Sequence, residues 1–276
     1  MNDEKVTLTE EKETLLITVF GKAEESRMPD SLLRDRFAAE AIRRVNYDFS
    51  KLHVRRDDMI ALAMRAYTFD GWTRDFLARN PEATVLHLGC GLDSRVFRVD
   101  PPPTVRWFDV DYPEVVALRR RLYPERPGYA LIGSSVTAPQ WLDEVPSDRP
   151  AMIIAEGLLP YLGQDDVPRL FKRLTQHFPK GEIVFDCYSH LGVKLLRRHK
   201  SVRATGASLH WGLDDPHELE AQVPNLVFLN EFDGQYPEQV ARMSRTARLV
   251  TRLVRAIPPL KKLGRLVRYG FGSDPS

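Results

Sequence analysis

The chain has 276 residues, 43% of them hydrophobic, which is ordinary for a globular protein and enough to bury a core. Its 40 basic and 38 acidic residues leave a net charge of +2, which argues against a nucleic-acid binder driven by phosphate neutralisation. No uncharged run approaches the roughly 18 apolar residues of a membrane span, and the acidic start lacks a basic-then-apolar leader pattern, so a cytoplasmic protein is expected.

In chain order, residues 9–23 predict a helix capped by Thr9, with Leu15, Leu16, Val19 and Phe20 at helical spacing. Pro29-Asp30-Ser31 breaks the chain, and Ser31 is placed to cap a second helix ending near Val45. Residues 57–79 predict a longer helix with Ile60, Met64, Tyr67 and Trp72 on one side, stopped at Asn80-Pro81. Strands are then expected at residues 84–88, 105–110, 129–132, 151–155, 182–186, 227–230 and 267–271. Helices are expected between them at residues 112–123, 167–178, 192–199 and 237–256. Strand alternates with helix, and several strands are apolar throughout, which predicts a mostly parallel sheet covered by helices on both faces. We expect one compact unit: an N-terminal helical extension over residues 1–80, then an α/β core over residues 81–276.

Cys90 and Cys187 read as reduced thiols at strand ends, and two cysteines without partner histidines predict no metal site. The arginine-rich stretch over residues 242–268 carries a stripe of Met243, Ala247, Val250, Val254 and Ile257. A helix packed on the sheet with a solvated basic face is expected there, the other reading being a surface for membranes or acidic carriers.

The chemistry begins where the first apolar strand runs into Gly89-Cys90-Gly91. Glycine allows a tight turn and a close ligand approach. A dinucleotide site would want a third glycine at position 94, but Ser94 stands there and Asp93 precedes it. An acid there repels a pyrophosphate and suits a positive amino group, such as the methionine end of S-adenosylmethionine (SAM). The second strand ends in Asp109-Val110-Asp111, about 20 residues beyond the glycines, where an acid can accept from ribose hydroxyls. Asp111 is preferred for the ribose, and the other acid for a helix cap. Glu156 leaves the fourth strand at Gly157, at the sheet edge where ligands of open α/β sheets sit. Ser135 and Val136 follow the third strand and could meet an adenine edge, or simply form a hydroxyl-closed turn.

The strings LHLGCGLDSRVFRVD, WFDVDYPEVVALRR and AEGLLPYL, in that order, closely resemble the leucine carboxyl methyltransferase family, and in particular its bacterial branch of polyketide O-methyltransferases. The resemblance runs from about Leu15 to Glu231. It implies a class I, Rossmann-like methyltransferase with a seven-stranded sheet and an N-terminal helical lid. It also implies SAM as cofactor, S-adenosylhomocysteine as product, and a small polyketide-like acceptor, free or carrier-tethered, methylated on oxygen. By the same resemblance Arg65 faces the SAM carboxylate, Gly89 and Gly91 form the cofactor turn, Asp111 holds the ribose and Glu156 lies near the methionine amino group. A basic residue from the N-terminal segment, Lys22 or Arg27, also meets the cofactor. Without the resemblance Arg65 reads as a surface salt-bridging arginine.

A carboxylate acceptor is already ionised near neutral pH and needs no general base, whereas a phenol would benefit from one. No catalytic His-Asp pair is evident. His87 lies inside the first strand and reads as core, and His210 is the other histidine with a potential role. Tyr161, Tyr188 and His210 are the candidates for the acceptor pocket, and Arg27 and Arg203 could clamp an anionic acceptor. The competing readings are a nicotinamide-dependent oxidoreductase on a similar sheet and a SAM-binding module without catalysis.

Overall fold

The computed structural model describes residues 4–5, 14–197, 208–257, 260 and 262–272. Three helices come first: α1 (Thr14–Ser26), α2 (Arg36–Arg44) and α3 (Arg56–Arg79). Strands β1 (Thr84–Leu88), β2 (Arg106–Asp111), β3 (Tyr129–Gly133), β4 (Ala151–Ala155) and β5 (Gly181–Tyr188) follow. They are interleaved with α4 (Arg95–Val99), α5 (Pro113–Leu122) and α6 (Asp166–His177). The chain then runs through α7 (His190–Leu196), α8 (His217–Gln222), β6 (Leu226–Phe232), α9 (Pro237–Ala241), α10 (Arg245–Ala256) and β7 (Gly264–Phe271). The sheet has seven strands in the order β3-β2-β1-β4-β5-β7-β6. The first five are parallel, and β7 inserts antiparallel to both β5 and β6.

The apolar strands serve two cores at once, because successive side chains point to opposite faces. In β4, Ile153 packs with Phe171 and Leu174 of α6, whereas Met152 and Ile154 pack with Phe69 and Phe76 of α3. The expected boundary near residue 80 falls between α3 and β1, yet α3 is built into the sheet's core. A third cluster joins α1 and α2 to α5 through Leu16, Val19, Ala41, Ile42, Leu118 and Leu122. It seats the first two helices over the turn that leaves β1. No helix among the described residues is long and apolar enough to cross a membrane.

Several local expectations need correcting. Asp35, not Ser31, caps α2, its Oδ1 accepting from the Ala38 amide at 2.9 Å. Ser31 instead donates to Glu25 and accepts from the Arg34 amide. Thr9 lies outside the described residues. Tyr67 leaves the buried side of α3, 42% exposed, and packs edge-on against Tyr236. The helix expected over residues 237–256 is two helices, because Ser244 starts afresh by accepting from the Ala247 amide. α10 also does not pack on the sheet: none of its residues is buried. A two-residue parallel pairing of Glu4–Lys5 with Val45–Asn46 had no sequence signal.

Candidate active site

The parallel strands bring the ends of β1, β2 and β4 to one sheet edge, beneath α1. There a cavity of about 280 Å³ opens, with Gly89, Gly91, Asp93, Asp111 and Glu156 in its lining. Gly89 and Gly91 take φ values of 59° and 51°, the left-handed region that favours glycine. A Cβ on Gly89 would lie 2.8 Å from Leu158. The expected glycine turn is therefore a steric requirement of this fold.

Two groups hold the turn from below. Arg119 of α5, fully buried, donates to the carbonyls of Gly91 and Asp93, each at 2.8 Å. Its other nitrogen reaches Asp109 and the Tyr129 hydroxyl. Asp109 thus neither faces the cavity nor caps a helix: it is the buried counter-ion of Arg119, and also accepts from Trp107 Nε1. Asp111 takes the cavity side. Its Oδ2 accepts from the Gly91 amide and its Oδ1 from the Tyr112 amide, both at 2.7 Å. Burial raises the pKa of Asp111, and these two donors offset that only in part. A carboxylate has about four lone-pair sites, so two further donors can be accepted there.

The opposite wall is a buried ion network. Lys22 of α1, 1% exposed, sits with its Nζ 2.9 Å from Asp93 and 2.9 Å from Glu156. Arg95 bonds Glu156 and lies 3.2 Å from Asp93 and 2.8 Å from Asp70. Arg98 ties Asp93 to Asp35 and Asp70. Arg65 of α3 reaches Glu156 at 3.1 Å and Asp186 at 3.0 Å. Burial opposes the charged form of Glu156, but Lys22, Arg95 and Arg65 outweigh it and hold its carboxyl well below the usual range. Asp93 is held low in the same way by Arg98, Lys22 and Arg95. Among the described residues, Asp35, Asp70, Asp93, Glu156 and Asp186 form ion pairs in this network with Lys22, Arg65, Arg95 and Arg98, so the acids exceed the basic side chains.

The structure brings together Arg65, Gly89, Gly91, Asp93, Asp111, Glu156, Tyr161 and His210 around one cavity. Of the two basic candidates from the N-terminal segment, Lys22 lines this cavity, whereas Arg27 pairs with Glu24 on the surface. Ser135 and Val136 follow β3 but do not line the cavity. Ser135 closes a local turn with Thr137, and Val136 is buried in the core, its carbonyl accepting from Trp141. Tyr188 lines a second cavity on the other side of Arg65. Arg203 lies outside the described residues. Arg95, Arg98 and Arg119 escaped the sequence reading, because on short helices they look like solvated charges. Their only signal was spacing, Arg95 and Arg98 following the glycine turn three residues apart. His87 is core as expected, its Nε2 3.1 Å from Arg95.

Comparisons with known proteins identify the family. The sequence model of the leucine carboxyl methyltransferase family matches residues 15–128. The tetracenomycin polyketide synthesis O-methyltransferase TcmP of Streptomyces glaucescens is 43% identical over 268 residues, 97% of this chain and 99% of that one. The SAM-dependent methyltransferase dpfgK of Gibberella zeae is 38% identical over 245 residues, 81% and 82% of the two chains. Among solved structures, a methyltransferase of Thermobifida fusca superposes with a TM-score of 0.54 at 16% identity, covering 92% of this chain and 94% of that one. A DUF574 family protein of Streptomyces avermitilis gives 0.57 at 11% identity, covering 94% and 97%. At those identities the structures speak for the fold, which is the class I methyltransferase fold. The relatives do not favour an oxidoreductase. The chain belongs to the leucine carboxyl methyltransferase family, in the branch that includes TcmP, and is a SAM-dependent methyltransferase.

Proposed function

We propose that the first cavity holds SAM and that the protein methylates a carboxylate oxygen of a small, polyketide-like acid. The observation that carries the cofactor's placement is the excess of acid around a bare glycine turn. SAM bears a sulfonium and an ammonium against one carboxylate, so a net cation meets a wall with surplus negative charge. Asp111 has two acceptor positions left for the ribose hydroxyls. Glu156 and Asp93 attract the ammonium, while Lys22 and Arg65 suit the carboxylate. Tyr112, next in the chain to Asp111, is also in the cavity lining. Bound there, the sulfonium supplies an electrophilic methyl group.

The residues of the chain orient, enclose and exclude water, which is how proximity accelerates a displacement. α1 roofs the turn with Leu15 and Val19, and Tyr161, Leu162 and His210 line the cavity with them. One histidine of this lining has an acid beside it: His87, 1% exposed, whose Nδ1 lies 3.4 Å from Asp109 and whose Nε2 lies 3.1 Å from Arg95, so both ring nitrogens are turned to protein groups. The His190–Asp214 pair at 3.0 Å is exposed and lines neither cavity. A lining that, among the described residues, offers the acceptor no acid-paired histidine suits an acceptor already ionised. A carboxylate acceptor also cannot be tethered to a carrier through that same carbonyl, so this reading favours a free acid. The buried free thiols of Cys90 and Cys187 suit a reducing compartment such as the cytoplasm.

The test has two readouts. Asp111→Ala should weaken S-adenosylhomocysteine binding roughly 10- to 100-fold by calorimetry, as loss of charge-assisted hydrogen bonds does, with the folded circular dichroism spectrum kept. Unchanged affinity removes the ribose assignment. Labelled SAM offered with a panel of aromatic acids and phenols should yield alkali-labile methyl esters. Alkali-stable methyl ethers as the product would overturn the carboxylate reading.

A further inference from the structure

The C-terminal helix α10 carries chemistry that methyl transfer does not use. Residues 242–268 hold nine basic residues and no acid, in a chain whose net charge is only +2. Leu249, Leu253 and Ile257 of this stretch recur every fourth residue and so share one helix face. They are 56%, 53% and 44% exposed. Arg245, Arg248 and Arg252 fall along one flank of that face, by the helical rise and turn. Among the described residues none of these three arginines has an ion-pair partner, whereas Arg242 and Arg255 at the two ends are paired.

The helix is held without packing. Ser244 bonds Asp57 through both its amide, at 2.8 Å, and its Oγ, at 2.7 Å, while Arg255 pairs with Asp233 at 3.3 Å. Helices in proteins owe most of their stability to burial of an apolar face, and α10 has no buried residue. Val250 and Val254 turn inward to the second cavity, which leaves the leucine face outward. An amphipathic helix is thus formed in advance and presented to whatever covers it, so little ordering cost attends its docking.

The charge and the side chains together identify the cover. A second copy of the chain is opposed by like charge, since the same arginines would meet. An acidic protein would answer the arginines, but protein interfaces centre on aromatic anchors seated in pockets. Every apolar residue of α10 is aliphatic and stands on a convex surface. An anionic bilayer answers both features: its phosphates attract the arginines, and its acyl chains take leucine and isoleucine without a fitted pocket.

We propose that α10 docks the protein on an anionic phospholipid surface. It lies in the interface with Leu249, Leu253 and Ile257 at the acyl boundary and Arg245, Arg248 and Arg252 among the headgroups.

The probes are vesicles of phosphatidylcholine alone and of phosphatidylcholine mixed equally with phosphatidylglycerol, sedimented with the full chain. The protein should bind the mixed vesicles roughly tenfold or more tightly than the neutral ones, and less tightly at high salt. Leu253→Glu, which removes apolar area from the acyl boundary and adds a repelled charge, should weaken that binding roughly tenfold or more, with the folded circular dichroism spectrum kept. Arg245→Gln with Arg252→Gln should erase the preference for the mixed vesicles, and decides the matter if the glutamate variant does not fold. Absence of vesicle binding, equal binding to both vesicle types, or binding untouched by Leu253→Glu overturns the proposal. Capture by polyglutamate without binding to either vesicle also overturns it, and assigns the face to an acidic protein.

Discussion

Lys22 sits where two buried carboxylates converge, and it comes from a helix that precedes the sheet by some sixty residues of chain. Taking it away leaves Glu156 with Arg95 and Arg65, and Asp93 with Arg95 and Arg98. Neither acid is orphaned, so the cost should fall at the low end for breaking a buried ion pair. We predict that Lys22→Met lowers stability by about 3 kcal/mol in urea unfolding. A loss below about 0.5 kcal/mol would mean that the network does not act as a unit. The sequence showed two basic residues in this segment, Lys22 and Arg27, with nothing to choose between them. What separates them is helix phase against a wall assembled from β1, β4 and α4, which exists only once the sheet has formed. The place of Asp111 at the cavity was legible because it follows from strand length and the glycine turn. Asp109, on the same face of the same strand, was not, because its partner Arg119 is set by how α5 packs.

The C-terminal helices show the same limit one level up. The stripe of Val250, Val254 and Ile257 is plain in the sequence, but a stripe does not say what it faces. Here Val250 and Val254 face a cavity while Ile257 is exposed, and Leu249 and Leu253 beside them are 56% and 53% exposed. Leu253→Glu should therefore change stability by less than about 0.5 kcal/mol in thermal unfolding, whereas a true core leucine would cost several times that. The segment is held by Arg242, which lies between α9 and α10. Arg242 pairs with Asp30, between α1 and α2, at 2.6 Å and with the fully buried Glu25 of α1 at 3.2 Å. Glu25 keeps the Leu32 and Leu33 amides and the Ser31 hydroxyl without it. We expect Arg242→Ala to cost about 1–2 kcal/mol. Faster hydrogen exchange should be confined to residues 237–256 and the α1–α2 connection, with the amides of β1, β4 and β5 unchanged. Exchange that quickens throughout the sheet would show the clasp to be part of the global core.

At the scale of the molecule, alternation of strand and helix sufficed for the sheet, because strands buried on both faces are largely apolar: β4 is so throughout, and β1 but for Thr84 and His87. The insertion of β7 between β5 and β6 is a matter of long-range pairing that no local pattern encodes. That topology gathers acids of opposite titration behaviour at one edge, with a consequence for pH. Asp93, Asp109 and Glu156 are held below their ordinary values, against the pull of burial, by Arg98 and its neighbours, by Arg119, and by Lys22 and its neighbours. Groups depressed in the folded state contribute stability that is present above their unfolded values, 3.8 for aspartate and 4.5 for glutamate, and is lost as pH falls toward the folded values. The fold should thus begin to weaken near those unfolded values and give way below them. Asp111 runs the other way: burial raises it, so it takes up a proton earlier on acidification and its protonation does not oppose folding. Its charge strengthens the hydrogen bonds proposed for the ribose. Affinity for S-adenosylhomocysteine should therefore decline at a higher pH than the loss of folded circular dichroism. In Asp111→Asn, which carries no titrating group there, the remaining affinity should follow the folded fraction alone. Coincident midpoints for binding and unfolding in the unmodified protein would place the cofactor's ribose on some other group.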